Sequence, residues 1–209
     1  MPRLPKSILV AAASAGALVL AACGQPANEQ RAEGQQNEPV NTAQDMAGAA
    51  TGLATGAVGA VSSEAFVRDA AIGDMYEVAA AELALERSKD ARVRAAAEKI
   101  LADHKAASAK LKTLVDGGKA PGPLPTEMDE RRKGMMDNLR GASDADFDDR
   151  YLDQQTMAHH EALTLFRGYA ELGDNPDLKA FAGEVAPKLE THAEMVTTAD
   201  RETGADDGR

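Results

Sequence analysis

Four histidines and one glutamate are the residues of this sequence whose types and spacing could support chemistry. His104 and His192 each interrupt a helical stripe of otherwise apolar residues, the pair His159-His160 lies near the middle of another predicted helix, and Glu77 lies near the middle of a fourth. Buried polar groups cost free energy unless they bind one another, water or a metal ion. The pattern therefore predicts a buried polar site. It is either a metal-free hydrogen-bonded cluster or a site for one transition-metal ion such as zinc, copper or iron.

The predicted interior stripes differ in how clearly they are defined. Two of them repeat every three or four residues and include a histidine: Val93, Ala97, Ile100, His104, Ala107, Leu111, Leu114 and Leu178, Phe181, Val185, Leu189, His192, Val196, Ala199. A small-residue face carries the glutamate: Phe66, Ala70, Gly73, Glu77, Ala81, Ala84. The remaining stripe, Leu152, Thr156, His159, Leu163, Phe166, Ala170, favours His159, while His160 lies on the adjacent edge of that helix.

Helix start and stop signals predict four long helices and one short helix, with no competing strand pattern. They run over about 64–88, 91–115, 126–140, 143–173 and 175–199. Short connections make each outer pair of long helices an antiparallel hairpin, and the long middle connection can travel the length of the helices. The expected fold is all-α: a ferritin-like four-helix bundle over residues 63–200, with one long crossover containing the short helix. A disordered tail is expected at 201–209.

The first 22 residues have the pattern of a secretory signal. Arg3 and Lys6 supply positive charge, residues 8–20 are apolar, and Leu20-Ala21-Ala22-Cys23 resembles a bacterial lipobox. The alternative is a simple secretory signal followed by an incidental cysteine.

Cys23 is the predicted lipidation site, and as the only cysteine it cannot form an intramolecular disulfide. Gly24 follows it where an inner-membrane retention signal would show Asp, so the expected location is the periplasmic face of the outer membrane. Residues 23–62 are expected to form a flexible low-complexity tether. Within them, residues 46–61 are small and apolar but short for a membrane span.

The charge of the chain excludes one class of partner. Removing residues 1–22 removes two of 23 basic residues and none of 34 acidic ones, so the mature net charge is −13. Such a protein does not bind nucleic acid through its overall field. It is also repelled by anionic lipid, so the acyl chain rather than charge would hold it at the membrane. No protein partner and no catalytic motif is indicated, which leaves enzymatic activity undetermined.

Several motifs, in order, resemble the domain of unknown function 4142 family of bacterial exported proteins. They are Ala70–Val78, Asp103-His104, Phe147–Leu152, His160-Glu161-Ala162 and Ala186–His192. The resemblance covers about residues 64–199 and departs mildly at Ala186, where the family usually has leucine. It implies a ferritin-like fold and His160, rather than His159, as the histidine of the third long helix. The family name records no established activity, so the resemblance implies a fold and no reaction.

The di-iron ligands of ferritin do not carry over. Leu101 and Leu189 stand where Glu-x-x-His motifs would place glutamate. The remaining metal hypothesis is a mononuclear site with the ligands Glu77, His104, His160 and His192, with His159 as the substitute for His160. Two functions stay open: a non-catalytic envelope or stress-related component, and a mononuclear metal-binding protein or metalloenzyme.

Overall fold

The computed structural model describes residues 62–206, and all regular structure in that range is helical. The helices are α1 (Ser63–Arg87), α2 (Ala91–Asp116), α3 (Glu130–Gly141), α4 (Phe147–Leu172) and α5 (Pro176–Asp206). The all-α prediction is therefore confirmed for the described range. None of these helices is long and apolar enough to cross a membrane. The predicted signal peptide, Cys23 and almost all of the tether lie outside the described residues.

Polar caps set the starts of four of the five helices. Ser62, Asp90 and Asn175 accept hydrogen bonds from backbone amides in the first turns of α1, α2 and α5, at the caps that the sequence indicates. Asp129 caps α3 in the same way, so α3 begins four residues after Thr126. Each cap satisfies an amide that has no partner within its helix, which fixes where the helix begins.

The last helix is longer than the sequence indicated. α5 continues to Asp206, so the disordered tail expected from residue 201 is corrected over 201–206. Thr203 is buried, and its hydroxyl donates a hydrogen bond to the carbonyl of Ala199. Glu202 also lies 4.0 Å from Arg92. These contacts stabilise the helical form of the polar segment, and its composition alone does not indicate them.

The long helices contact one another in a closed order. α1 packs on α2 and α4, α5 packs on α2 and α4, and α3 lies mainly against α1. Each short turn joins two contacting helices, so α1–α2 and α4–α5 are antiparallel hairpins, as predicted. Each long helix therefore presents one stripe to two neighbours, and the four stripes enclose a common interior.

The long connection between α2 and α4 passes from one end of the helices to the other. At the start of this connection, the carbonyl of Lys119 accepts a hydrogen bond from the side-chain amide of Asn175. The start of the connection therefore lies at the beginning of α5. At the end of the connection, Ala142 and Asp144 accept hydrogen bonds from Arg87, through a carbonyl and a carboxylate respectively. The end of the connection therefore lies at the end of α1. Both α1 and α5 begin at the same end, so α2 and α4 run parallel.

Apolar side chains form two clusters separated by a polar layer. One cluster lies toward the α1–α2 turn and includes Tyr76, Ile100, Tyr151 and Val196; the other includes Phe66, Leu111, Phe166 and Leu189. On every long helix the change from one cluster to the other occurs at a polar position: residues 74–77 on α1, His104 on α2, His159 on α4 and His192 on α5. The fold thereby brings four polar positions to one depth of an apolar interior.

Candidate metal centre

Three histidines from three different helices meet in the polar layer. His104, His159 and His192 have exposed fractions of 4%, 1% and 1%. Their ring centroids are 5.3 to 5.9 Å apart, and one ring nitrogen of each lies within 4.8 Å of a ring nitrogen of the others. The three histidines, each on a different helix of the sequence pattern, therefore lie close together in the folded chain.

Two of the rings are oriented by carboxylates on neighbouring helices. Nδ1 of His104 lies 2.7 Å from Oδ1 of Asp74, whose other oxygen accepts a hydrogen bond from the Ser108 hydroxyl. Nε2 of His192 lies 2.8 Å from Oδ2 of Asp103. A carboxylate that accepts the N–H of an imidazole fixes the ring's orientation and tautomer and raises its basicity.

The third ring is oriented by the backbone. Nδ1 of His159 donates to the carbonyl oxygen of Gln155 at 2.9 Å, one turn earlier on α4. Gln155 is itself buried, and the Tyr151 hydroxyl, a further turn back on the same face, is buried without a hydrogen-bond partner. The polar layer therefore continues along α4 beyond the histidine itself.

The other nitrogen of each ring has no hydrogen-bond partner. These atoms are Nε2 of His104, Nε2 of His159 and Nδ1 of His192, and all three are buried. In a neutral imidazole whose outer nitrogen donates its proton, the remaining nitrogen carries a lone pair. When all three rings are neutral, they offer three lone pairs in an apolar interior, a donor set that a transition-metal ion could use.

Glu77 completes the layer from α1. Its side chain is 3% exposed, its Oε1 lies 4.0 Å from Nδ1 of His159, and its Oε2 has no hydrogen-bond partner. Burial raises the pKa of Glu77, although the charges of His104 and Arg132 and the amide of Gln155 oppose that shift. A carboxylate in this position has an oxygen available for a metal ion or for a hydrogen-bond donor.

Burial keeps two of the histidines uncharged. Burial, reinforced by the charge of His104, lowers the pKa of His159 to about 3. Burial also lowers the pKa of His192 to about 4, with the hydrogen bond to Asp103 opposing it. For His104, burial is outweighed by the hydrogen bond and charge of Asp74, so the pKa of His104 is raised above 6.5. Burial therefore favours neutral imidazoles at His159 and His192, whereas Asp74 favours the protonated form of His104, which would release a proton on binding a metal ion.

A cavity of about 110 Å³ leads toward this layer. It lies between α1, α3 and α4 and extends from the exposed Asp129 to the buried side chains of Glu77 and His104. On its α3 side, Arg131 forms two hydrogen bonds with Glu161, whose Oε2 also accepts one from Arg132. Small molecules or ions could therefore reach Glu77 and His104 from one side.

The structure brings together most of the residues that the sequence singled out. Glu77, His104 and His192 lie in the layer, and His159 lies there as the stripe of the third long helix indicated. His160 is exposed, so the resemblance-based choice of that residue differs from the structure. Adjacent helical residues point about 100° apart, and only one of this pair can face the interior. The assignment of metal ligands itself stays a prediction.

The sequence analysis singled out one of the orienting groups, as part of a motif, and missed the others. Asp103 belongs to the Asp103-His104 motif, and it contacts His192 on α5. Asp74 was missed, although its position three residues before Glu77 places it on the same face of α1. Gln155 acts through its backbone carbonyl, for which no side-chain pattern gives a signal.

Comparison with known proteins yields one match. Residues 44–199, about three quarters of the chain, match the family described as Domain of unknown function (DUF4142). No curated protein and no solved structure matches the chain. The matched range includes every residue of the polar layer.

We expect the metal-free protein to lose stability as the pH falls from about 6.5 toward 4. In that window the unfolded chain takes up protons at His159 and His192 while the folded chain does not, because both folded-state pKa values are depressed. Each such proton lowers the free energy of unfolding by about 1.4 kcal/mol per pH unit. His104 acts in the opposite sense, since its contribution is present at low pH and is lost as the pH rises through its raised pKa.

Urea unfolding at a series of pH values, with a chelator present, measures this slope. His159→Gln should reduce it by roughly one proton, whereas His160→Gln, at an exposed position, should leave it unchanged. A slope in His159→Gln equal to that of the unmodified chain would contradict the assignment of a buried neutral imidazole.

Proposed function

This chain belongs to the DUF4142 family, and we propose that it binds a single transition-metal ion through His104, His159 and His192. The observation that supports this proposal is that the two nitrogens of each ring have different surroundings. One nitrogen of each is hydrogen-bonded to Asp74, Asp103 or a backbone carbonyl, and the other is buried and unpaired. Each unpaired buried polar group costs about 1 to 3 kcal/mol. A bound ion would satisfy three of them at once.

The donor set favours zinc, copper or iron. Neutral imidazoles suit these ions, and the outer carboxylates strengthen the rings as ligands. Ligand nitrogens about 2.0 to 2.1 Å from a tetrahedral ion are roughly 3.3 Å apart. One ring nitrogen of each histidine lies within 4.8 Å of one ring nitrogen of each of the others, so binding through these atoms needs ring movements on the order of 1 Å. Rotation of the side chains could supply such movements without rearranging the helices.

Glu77 has a different role from the three imidazoles in this proposal. Its Oε1 lies 4.0 Å from the outer nitrogen of His159, which already donates to the carbonyl of Gln155, so Glu77 is not counted among the three ligands. Three imidazoles leave one position of a tetrahedral ion free, the arrangement typical of catalytic rather than structural zinc sites. We assign Glu77 as the carboxylate that accepts a hydrogen bond from whatever occupies that position.

Iron storage is not part of this proposal. A di-iron site needs several carboxylates to balance two ions. Leu189 is buried and Leu101 is partly buried at the positions where those carboxylates would stand. The helix contacts support a ferritin-like four-helix bundle as the scaffold, but with a mononuclear centre inside it.

The metal proposal is tested by the metal content of the protein. Purified full-length protein, loaded with zinc and then desalted, is expected to retain about one ion per chain. Free ion at 100 times its dissociation constant would stabilise the fold by about 2.7 kcal/mol, seen as a higher melting temperature. The double variant His104→Ala with His192→Ala should lose both effects, because two of three ligands are gone. His160→Ala is the matched control and should retain both.

Absence of retained zinc, copper and iron, together with unchanged melting on adding each ion, would contradict the metal proposal. The layer would then be a metal-free hydrogen-bonded cluster in a non-catalytic envelope component. Retention of the ion by the double variant would show binding elsewhere on this acidic chain.

We also propose that the protein is held at the periplasmic face of the outer membrane by an acyl chain on Cys23. The lipobox-like sequence that ends at this residue supports the proposal. The mature protein is expected in the membrane fraction with a mass above that of its polypeptide, and Cys23→Ala should release it or leave its signal uncleaved. Membrane-bound protein of unmodified mass would contradict lipidation.

A further inference from the structure

We propose that the cavity lined by Glu77 and His104 is a binding pocket for small uncharged molecules that can both coordinate a metal and donate a hydrogen bond. Such molecules include hydrogen peroxide, hydroxylamine and imidazole. This inference rests on the proposed metal centre and adds the chemical class of its exchangeable ligand. It follows from the position, charge and unpaired acceptors of the cavity.

The position of the cavity connects the polar layer with the surface. Glu77 and His104 form its inner wall, and the exposed Asp129 lies at its outer side. A volume of about 110 Å³ corresponds to three or four water molecules at roughly 30 Å³ each. A molecule of a few non-hydrogen atoms therefore fits in the cavity.

The charges that line the cavity disfavour anions. Five carboxylates line it against two guanidinium groups: Asp69, Asp74, Glu77, Asp129 and Glu161 against Arg131 and Arg132. Both arginines bind Glu161, at 2.8 Å in each case, so one of their two positive charges is offset there and the four other carboxylates outnumber the second. The potential inside is set by the remaining carboxylates, which repel an anion and attract a cation or a hydrogen-bond donor.

Two buried acceptors in the lining lack a donor. Oε2 of Glu77 and Oδ2 of Asp69 are both buried without a hydrogen-bond partner. Glu77 is the more deeply buried of the two residues, at more than nine-tenths. Asp69 lies nearer the surface, where its other oxygen accepts a hydrogen bond from the exposed Arg68. An unpaired buried acceptor favours a ligand that brings a donor. A ligand with a lone pair for the metal and an N–H or O–H for Glu77 satisfies both ends of the pocket.

The experiment uses full-length protein loaded with cobalt, whose visible absorption reports changes in coordination. Imidazole and azide are titrated at about pH 8, where imidazole is mostly uncharged. We expect imidazole to change the cobalt spectrum saturably and azide to bind at least tenfold more weakly, although azide is the smaller molecule. Azide binding as tightly as imidazole, or a spectrum that neither ligand changes, would overturn the inference.

Gly73 offers a way to fill the pocket without touching a proposed ligand. It lines the cavity, and a Cβ atom added there would meet no atom within 4 Å. Gly73→Leu should therefore fold, since leucine also favours helix over glycine. We expect it to retain one cobalt ion and to lose imidazole affinity by at least tenfold.

Gly183→Leu is the matched control, because Gly183 is an exposed helical glycine that is equally free of neighbours and does not line the cavity. It should bind imidazole as the unmodified chain does. Unchanged imidazole affinity in Gly73→Leu would overturn the pocket while leaving the metal centre intact. Failure of the unmodified chain to bind cobalt would instead overturn the metal centre and the pocket with it.

Discussion

Three imidazole rings in an apolar interior must each find partners for two nitrogens, and much of this structure depends on how that is done. Asp74, Asp103 and a backbone carbonyl of α4 satisfy one nitrogen of each ring. The remaining three nitrogens are buried and unpaired. A protein that needed histidine only for packing would gain more from leucine at these positions, because a buried polar atom without a partner is costly. The three unpaired nitrogens are therefore the feature that packing does not explain and a function would.

The scaffold confines this polarity to one layer. Apolar clusters on both sides of the layer fill the space between the helices. Buried alanines on α1 are small enough for the neighbouring helices to approach it closely. The same exclusion of water keeps His159 and His192 uncharged, so their lone pairs are available near neutral pH. The cavity on the Glu77 side is the described opening through which a ligand could reach the layer.

The sequence was sufficient for the parts of the site that depend on helical period. The stripes through His104 and His192 repeat regularly, and both residues are buried where the period places them. On α4 the period was less decisive, because Thr156 in the expected stripe is exposed and two histidines are adjacent. The cavity could not be predicted. It depends on how α3 docks, and on the pairing of Arg131 and Arg132 with Glu161 across helices.

X-ray absorption at the zinc edge of the metal-loaded, full-length protein is the most direct measurement of the central claim. The expected spectrum shows imidazole scattering from three histidines, with nitrogens at about 2.0 to 2.1 Å and one further light ligand. A spectrum of oxygen ligands alone, or with scattering from a single imidazole, would place the ion elsewhere on the chain. It would leave the three buried nitrogens without the ligand that this account assigns to them.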